Sequence, residues 1–283
     1  MSVSSAPINL GGAVMWRSLF FVIACFVAVS AARAEPQRHN ASTMRAPTLQ
    51  SDADKNKKGS VEMAPPASED TTRKVRIGDV ELTIPLLKGY RDLDGLPDVY
   101  RSLFERIVPP SAQLVDFHLH EYDIDMPVHE LSPHVHYEMF VMKEYAAKQT
   151  DRKGWDDFRA EVSSALGRVD LAPLLKRNET RINDALTEHG VDIIKVEDLR
   201  TQAPKIYRSD ARSMRLVTTV ANQQTIEGKV YQIEEVRVTA MLYVRGKVLT
   251  VVAAREFREG TSKPLEIVET LDAFADRVLM LNP

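Results

Sequence analysis

No run in this chain limits its fold more than Val248-Leu249-Thr250-Val251-Val252-Ala253-Ala254. Side chains alternate between the two faces of a strand, and here both faces are apolar, so this strand must be covered on both sides. A second strand over 231–244 precedes it, turned by Arg245-Gly246 into the strand at 247–257. An amphipathic helix over 264–280 follows. Its apolar stripe is Ile267, Val268, Leu271, Phe274, Ala275, Val278 and Leu279, at the spacing that buries one helical face. A central strand, an antiparallel neighbour and a docking helix already place the chain among layered sheet-and-helix folds.

The upstream pattern agrees. Val75 and Ile77, then Val80, Leu82 and Ile84, alternate about Gly78-Asp79 and predict a hairpin. Pro97 opens a short helix carrying Val99, Tyr100, Leu103, Phe104 and Ile107, stopped by Pro109-Pro110. Strands are expected over 113–124, 135–143 and 213–220. Helices are expected over 155–166, with Phe158, Val162 and Leu166, and over 173–189, with Leu174, Leu175, Ile182, Ala185 and Leu186; Gly167 and Gly190 close them. The expected fold is a single α+β domain over 74–283, an antiparallel sheet with helices packed on it.

Residues 1–73 have a different character. Arg17 is followed by an apolar run from Leu19 to Val29 and by Ala32-Arg33-Ala34, the pattern of a signal peptide over 1–34 cleaved before Glu35. Met1 and Met15 are both possible starts. The apolar run is shorter than the roughly 20 residues of a spanning helix, so no membrane span is expected after cleavage. Val22-Ile23-Ala24-Cys25 also fits a bacterial lipobox, which makes a lipid anchor at Cys25 the alternative to a free periplasmic protein. Cys25 is the only cysteine, so cleavage leaves no disulfide and no thiol ligand, and the domain must hold together by core burial. Residues 35–73 carry four strongly apolar side chains and no aromatic, which predicts a disordered linker. Within it, 54–65 resembles a calcium loop, but Lys58 and Pro65 stand at ligand positions and exclude it. With 37 basic against 40 acidic side chains there is no electrostatic reason to expect nucleic acid as a partner.

Three segments are similar to the PsbP-like family, which includes extrinsic photosystem subunits and bacterial DcrB-like envelope proteins. They are the exported leader with Val80-Glu81-Leu82-Thr83-Ile84-Pro85 and Gly89-Tyr90, the hairpin from Met241 to Val251, and Thr270-Leu271-Asp272-Ala273-Phe274 in the last helix. The resemblance implies a binding or assembly factor and supplies no active site.

Chemistry concentrates in one place. Five of the seven histidines, His118, His120, His129, His134 and His136, fall close together, four of them as two H-x-H pairs. Residues i and i+2 share a strand face, so His118, His120, His134 and His136 are candidate ligands for Zn²⁺ or Cu²⁺. Glu121, Asp123, Asp125, Glu130 and Glu138 lie near enough in sequence to support them. The plainer reading is a solvated face: Asp116, His118 and His120 alternate with apolar Val115, Phe117 and Leu119, as His134, His136 and Glu138 do with Val135, Tyr137 and Met139. Five imidazoles titrating together would also make that face pH-sensitive. No Gly-x-Gly, G-x-S-x-G or H-E-x-x-H occurs, and neither Glu234-Glu235 nor Asp156-Asp157 forms a carboxylate pair by itself. The sequence therefore favours an exported, periplasmic binding or assembly protein of the envelope, acting on an unknown envelope protein or small ligand. A metal-binding protein or metal-dependent hydrolase using the histidines is the alternative.

Overall fold

The structure, a computed structural model, describes residues 71–283 apart from 125, 127–130, 167, 169, 190–192 and 259. The expected signal peptide, Cys25 and the linker as far as residue 70 lie outside these residues, as do Asp125, His129, Glu130, Gly167 and Gly190. Among the described residues no helix is long and apolar enough to cross a membrane.

The fold is α+β. Strands β1 (Thr71–Ile77) and β2 (Val80–Leu86) form the expected hairpin, β1 starting three residues before Lys74. The main sheet has eight strands: β3 (Tyr90–Arg91), β4 (Ala112–His120), β5 (His136–Met142), β6 (Ile194–Thr201), β7 (Lys205–Ser209), β8 (Ser213–Ile226), β9 (Lys229–Val244) and β10 (Lys247–Arg258). Their spatial order is β3-β4-β5-β10-β9-β8-β6, with β7 also paired to β8, and every pairing is antiparallel. Helices are α1 (Asp98–Ile107), α2 (Glu121–Ile124), α3 (Lys143–Ala147), α4 (Arg152–Ala165), α5 (Ala172–Glu188) and α6 (Pro264–Leu281).

The two-sided apolar run forms β10, in the middle of the sheet, with Val248 to Ala254 buried throughout. Leu249, Val251 and Ala253, with Val236, Val238, Ala240 and Leu242 of β9, pack against the β1–β2 hairpin and α6. From α6, Ile267, Leu271, Phe274, Ala275 and Val278 enter this layer; each larger side chain contributes about 1.5–3 kcal/mol of burial. Asn282 then ties helix to hairpin, accepting from Thr83 N–H at 2.8 Å and donating to the Thr83 carbonyl at 2.7 Å. The opposite face is covered by α1, α4 and α5: Trp155, Phe158 and Val162 lie on Met214, Met241 and Val248, and Ile182 and Leu186 belong to one cluster with Tyr100, Phe104, Phe117 and Val220.

Three expectations need correction. Residues 121–124 form a helical turn instead of continuing β4. Strands β6 and β7 occupy a stretch with no expected strand; they edge β8 in succession, interrupted near Pro204, whose missing N–H suits only an edge. The polar positions of β4 and β5 are not a solvated face, since Asp116, His118, His136 and Glu138 are all buried. Both faces of these strands are covered, so the alternation marks two kinds of interior.

Candidate functional site

The register decides which histidines meet. In the β4–β5 ladder His118 stands opposite Tyr137, one residue past His136, and a one-residue offset places neighbours on opposite faces. His118 accordingly lies under α6, edge-on to Phe274 at 5.9 Å, with Nε2 at 3.2 Å from Asp116. His136 lies under α1, stacked on Phe117 at 5.6 Å, with Nε2 at 3.2 Å from Glu138. These two do not join a common site. The four-histidine set is thus corrected: the structure brings together one member of each H-x-H pair, His120 at the end of β4 and His134 in the loop before β5.

His120 and His134 stack with ring centres 3.6 Å apart and planes 9° from parallel. The turn α2 brings Asp123 back beneath them, where it is almost fully buried. Asp123 Oδ1 is 2.9 Å from His134 Nδ1, and Asp123 Oδ2 accepts from the Ser132 hydroxyl at 2.5 Å. A carboxylate acceptor at this nitrogen favours the His134 tautomer with its hydrogen on Nδ1 and its lone pair on Nε2. That is the arrangement in which a carboxylate orients a metal-binding imidazole. The Tyr122 N–H approaches His120 Nδ1 at 3.3 Å. Burial, then the neighbouring His134, holds the His120 imidazole below its usual pKa.

The surroundings pack against one side of His120. Strand β3 pairs Tyr90 with His120, and the Tyr90 ring meets it edge-on at 5.1 Å while its hydroxyl donates to the Val135 carbonyl. Burial, aided by the Asp123 charge, pushes the Tyr90 phenol up to about 12, so it remains a neutral donor. Gly89 has φ +80°, and a Cβ there would stand 3.0 Å from His120 Nε2, so a glycine is needed both for the turn and for the ring. Tyr122 is exposed beside the pair and the His134 side chain is about one-third exposed, which leaves a way in from solvent.

The donors of His120, Asp123 and His134 all lie within 4.8 Å of one another. Two atoms bound tetrahedrally to one Zn²⁺ are roughly 3.4 Å apart, given bonds of about 2.0–2.1 Å. With Asp123 held behind His134, the two imidazoles need a rotation to share one ion, because two parallel rings cannot aim both lone pairs at one point. His120 is the ring placed to turn: its contact from Tyr122 is long, whereas His134 is held by Asp123. Asp123 was legible only as a nearby carboxylate, and Ser132 carried no signal in the sequence.

On the far side of the sheet, Glu138 and Arg237 form a buried ion pair, and Arg237 Nη1 donates to Glu235 Oε1 at 2.6 Å. Burial opposes the charge of Glu138, but Arg237 and His136 outweigh it and hold its carboxyl below the ordinary range. A separate groove of about 750 Å³ runs between the start of α5 and β6, lined by Leu175, Lys176, Glu179, Leu199 and Arg200, with none of the histidines on it. Comparison with protein-family models, curated proteins and solved structures returned no match to this chain.

Proposed function

We propose that this chain is an exported binding protein of the cell envelope whose working site is the His120–Asp123–His134 edge, and that this edge takes one late first-row divalent ion, Zn²⁺ or Cu²⁺. The observation that carries the reading is the Asp123-held His134 stacked against His120 beside an exposed tyrosine. Two imidazoles, one of them held from behind by a carboxylate, are donors those ions favour, and two protein ligands leave coordination positions for a partner's side chain or a small ligand. Export rests on the leader in the sequence. The metal would serve capture or carriage.

The test is metal content and affinity of the full-length protein, by elemental analysis after purification from its own compartment and by Zn²⁺ and Cu²⁺ titration. His134→Ala is expected to abolish binding, and Ser132→Ala to weaken it about tenfold by loosening Asp123. Binding unchanged in His134→Ala would overturn the reading.

A further inference from the structure

Beneath α5 the sheet carries a second cluster, built almost wholly from oxygen donors and separate from the histidine edge. Glu235 of β9 and Glu256 of β10 are directly opposed in the register, so their side chains rise from one face of the sheet. Directly opposed residues have Cβ atoms about 5 Å apart, and two like charges so placed destabilise a strand pair. Asn222 and Gln224 of β8 alternate with the half-buried Ala221, Gln223 and Thr225 and share the buried face. Gln224 reaches over β9 to the pair, with Nε2 3.5 Å from Glu256 Oε1. Val220 and Ile226, which bracket Asn222 and Gln224 on β8, belong to one cluster with Ile182 and Leu186 of α5, so this face of the sheet is the one turned toward α5.

All four residues are at most 2% exposed. Yet neither amide atom of Asn222 has a hydrogen-bond partner, nor do Gln224 Oε1 and Glu235 Oε2. Each buried polar atom left unpaired costs about 1–3 kcal/mol, and native interiors hold few of them. Four such atoms on one covered face of the sheet mark a place built around a guest. Its chemistry follows from the donors. Gln224 turns its N–H to Glu256, which leaves its carbonyl oxygen free. Glu235 spends only Oε1 on Arg237, and Arg237 is shared with Glu138. What remains is an oxygen-rich set.

We propose that Glu235, Glu256, Gln224 and Asn222 hold one hard divalent cation of the Ca²⁺ type between the sheet and α5. Carboxylate and amide oxygens are the ligands such ions take. Softer Zn²⁺ and Cu²⁺ belong at the histidine edge, so the two sites sort ions by donor type.

Because the cluster is enclosed, the test loads it during folding. Full-length protein is refolded from urea in EDTA, in Ca²⁺, or in K⁺ alone, then compared by native mass spectrometry and thermal melting. The expected result is one retained Ca²⁺ per chain and a Tm higher by about 5 °C or more at a hundredfold excess over Kd. Glu235→Gln and Glu256→Gln, which keep the side-chain shape, should lose both, while His134→Ala keeps both. Wild-type protein with no retained ion and the same Tm in EDTA and Ca²⁺ would overturn the proposal and leave ordered water on these oxygens. Equal stabilisation by K⁺ alone, or a Ca²⁺ effect that survives in both Gln variants, would overturn it as well.

Discussion

Replacing Arg237 with methionine removes a guanidinium that is about 2% exposed and bonds both Glu138 and Glu235. Methionine fills much of the space but leaves Glu138 buried with only His136, at 3.2 Å, to offset its charge. Breaking a buried ion pair from one side costs about 3–5 kcal/mol. For a domain of this size that is a Tm fall of roughly 6–20 °C. The pH dependence gives the sharper signature. In the native protein the depressed carboxyl of Glu138 contributes stability present above the ordinary carboxylate range and lost as pH falls through its lowered pKa. Without Arg237 the sign reverses, because Glu138 must take up a proton to stay buried. The deficit should therefore be largest at pH 7.5 and shrink toward pH 5.5. Adding Glu138→Gln should restore part of the loss, giving a coupling of about 1–3 kcal/mol in a double-mutant cycle, while Glu235 still lacks its partner. Urea denaturation of the four proteins at both pH values measures this. A loss under about 1 kcal/mol at pH 7.5, or a double variant no better than Arg237→Met, would refute the buried pair.

Three further outcomes follow from named contacts. Gly89→Ala strains a residue at φ +80° and drives a methyl against His120 Nε2, so Zn²⁺ affinity should fall together with about 1 kcal/mol or more of stability, read by titration and urea melts. Phe274→Ala removes the ring stacked on Tyr137 at 4.6 Å and should cost about 3–5 kcal/mol; a calorimetric loss below 1 kcal/mol would contradict the docking of α6. Asn282→Ala breaks the ties from α6 to the Thr83 backbone, and amide exchange should rise first along β2.

The sequence carries the core of this fold openly because its strongest elements are local. Val248 to Ala254 is apolar at every position but one, and the stripe of α6 repeats at helical spacing, so each element states which faces it buries. Strands β6 and β7 are hidden by their place at the edge, where Lys195, Glu197, Asp198 and Arg200 face water and dilute the alternation of Ile194 and Val196. The misreading of His136 and Glu138 has a different cause. Alternation tells which side chains share a face but not what lies across it, and the partner that makes Glu138 buriable, Arg237, is 99 residues away. The candidate site shows the same division. The H-x-H pairs flagged the right segment, while the choice of His120 with His134 depended on a one-residue register and on where β5 begins.

The central claim, a transition-metal site at the end of β4, is tested most directly by calorimetric titration of the full-length protein with Zn²⁺ and with Cu²⁺, in excess Ca²⁺ to keep the oxygen cluster filled. The predicted result is one ion per chain, lost in His120→Ala and in His134→Ala while both variants keep the urea midpoint of the parent. Absence of binding in the parent, or binding that survives both substitutions, would contradict the account.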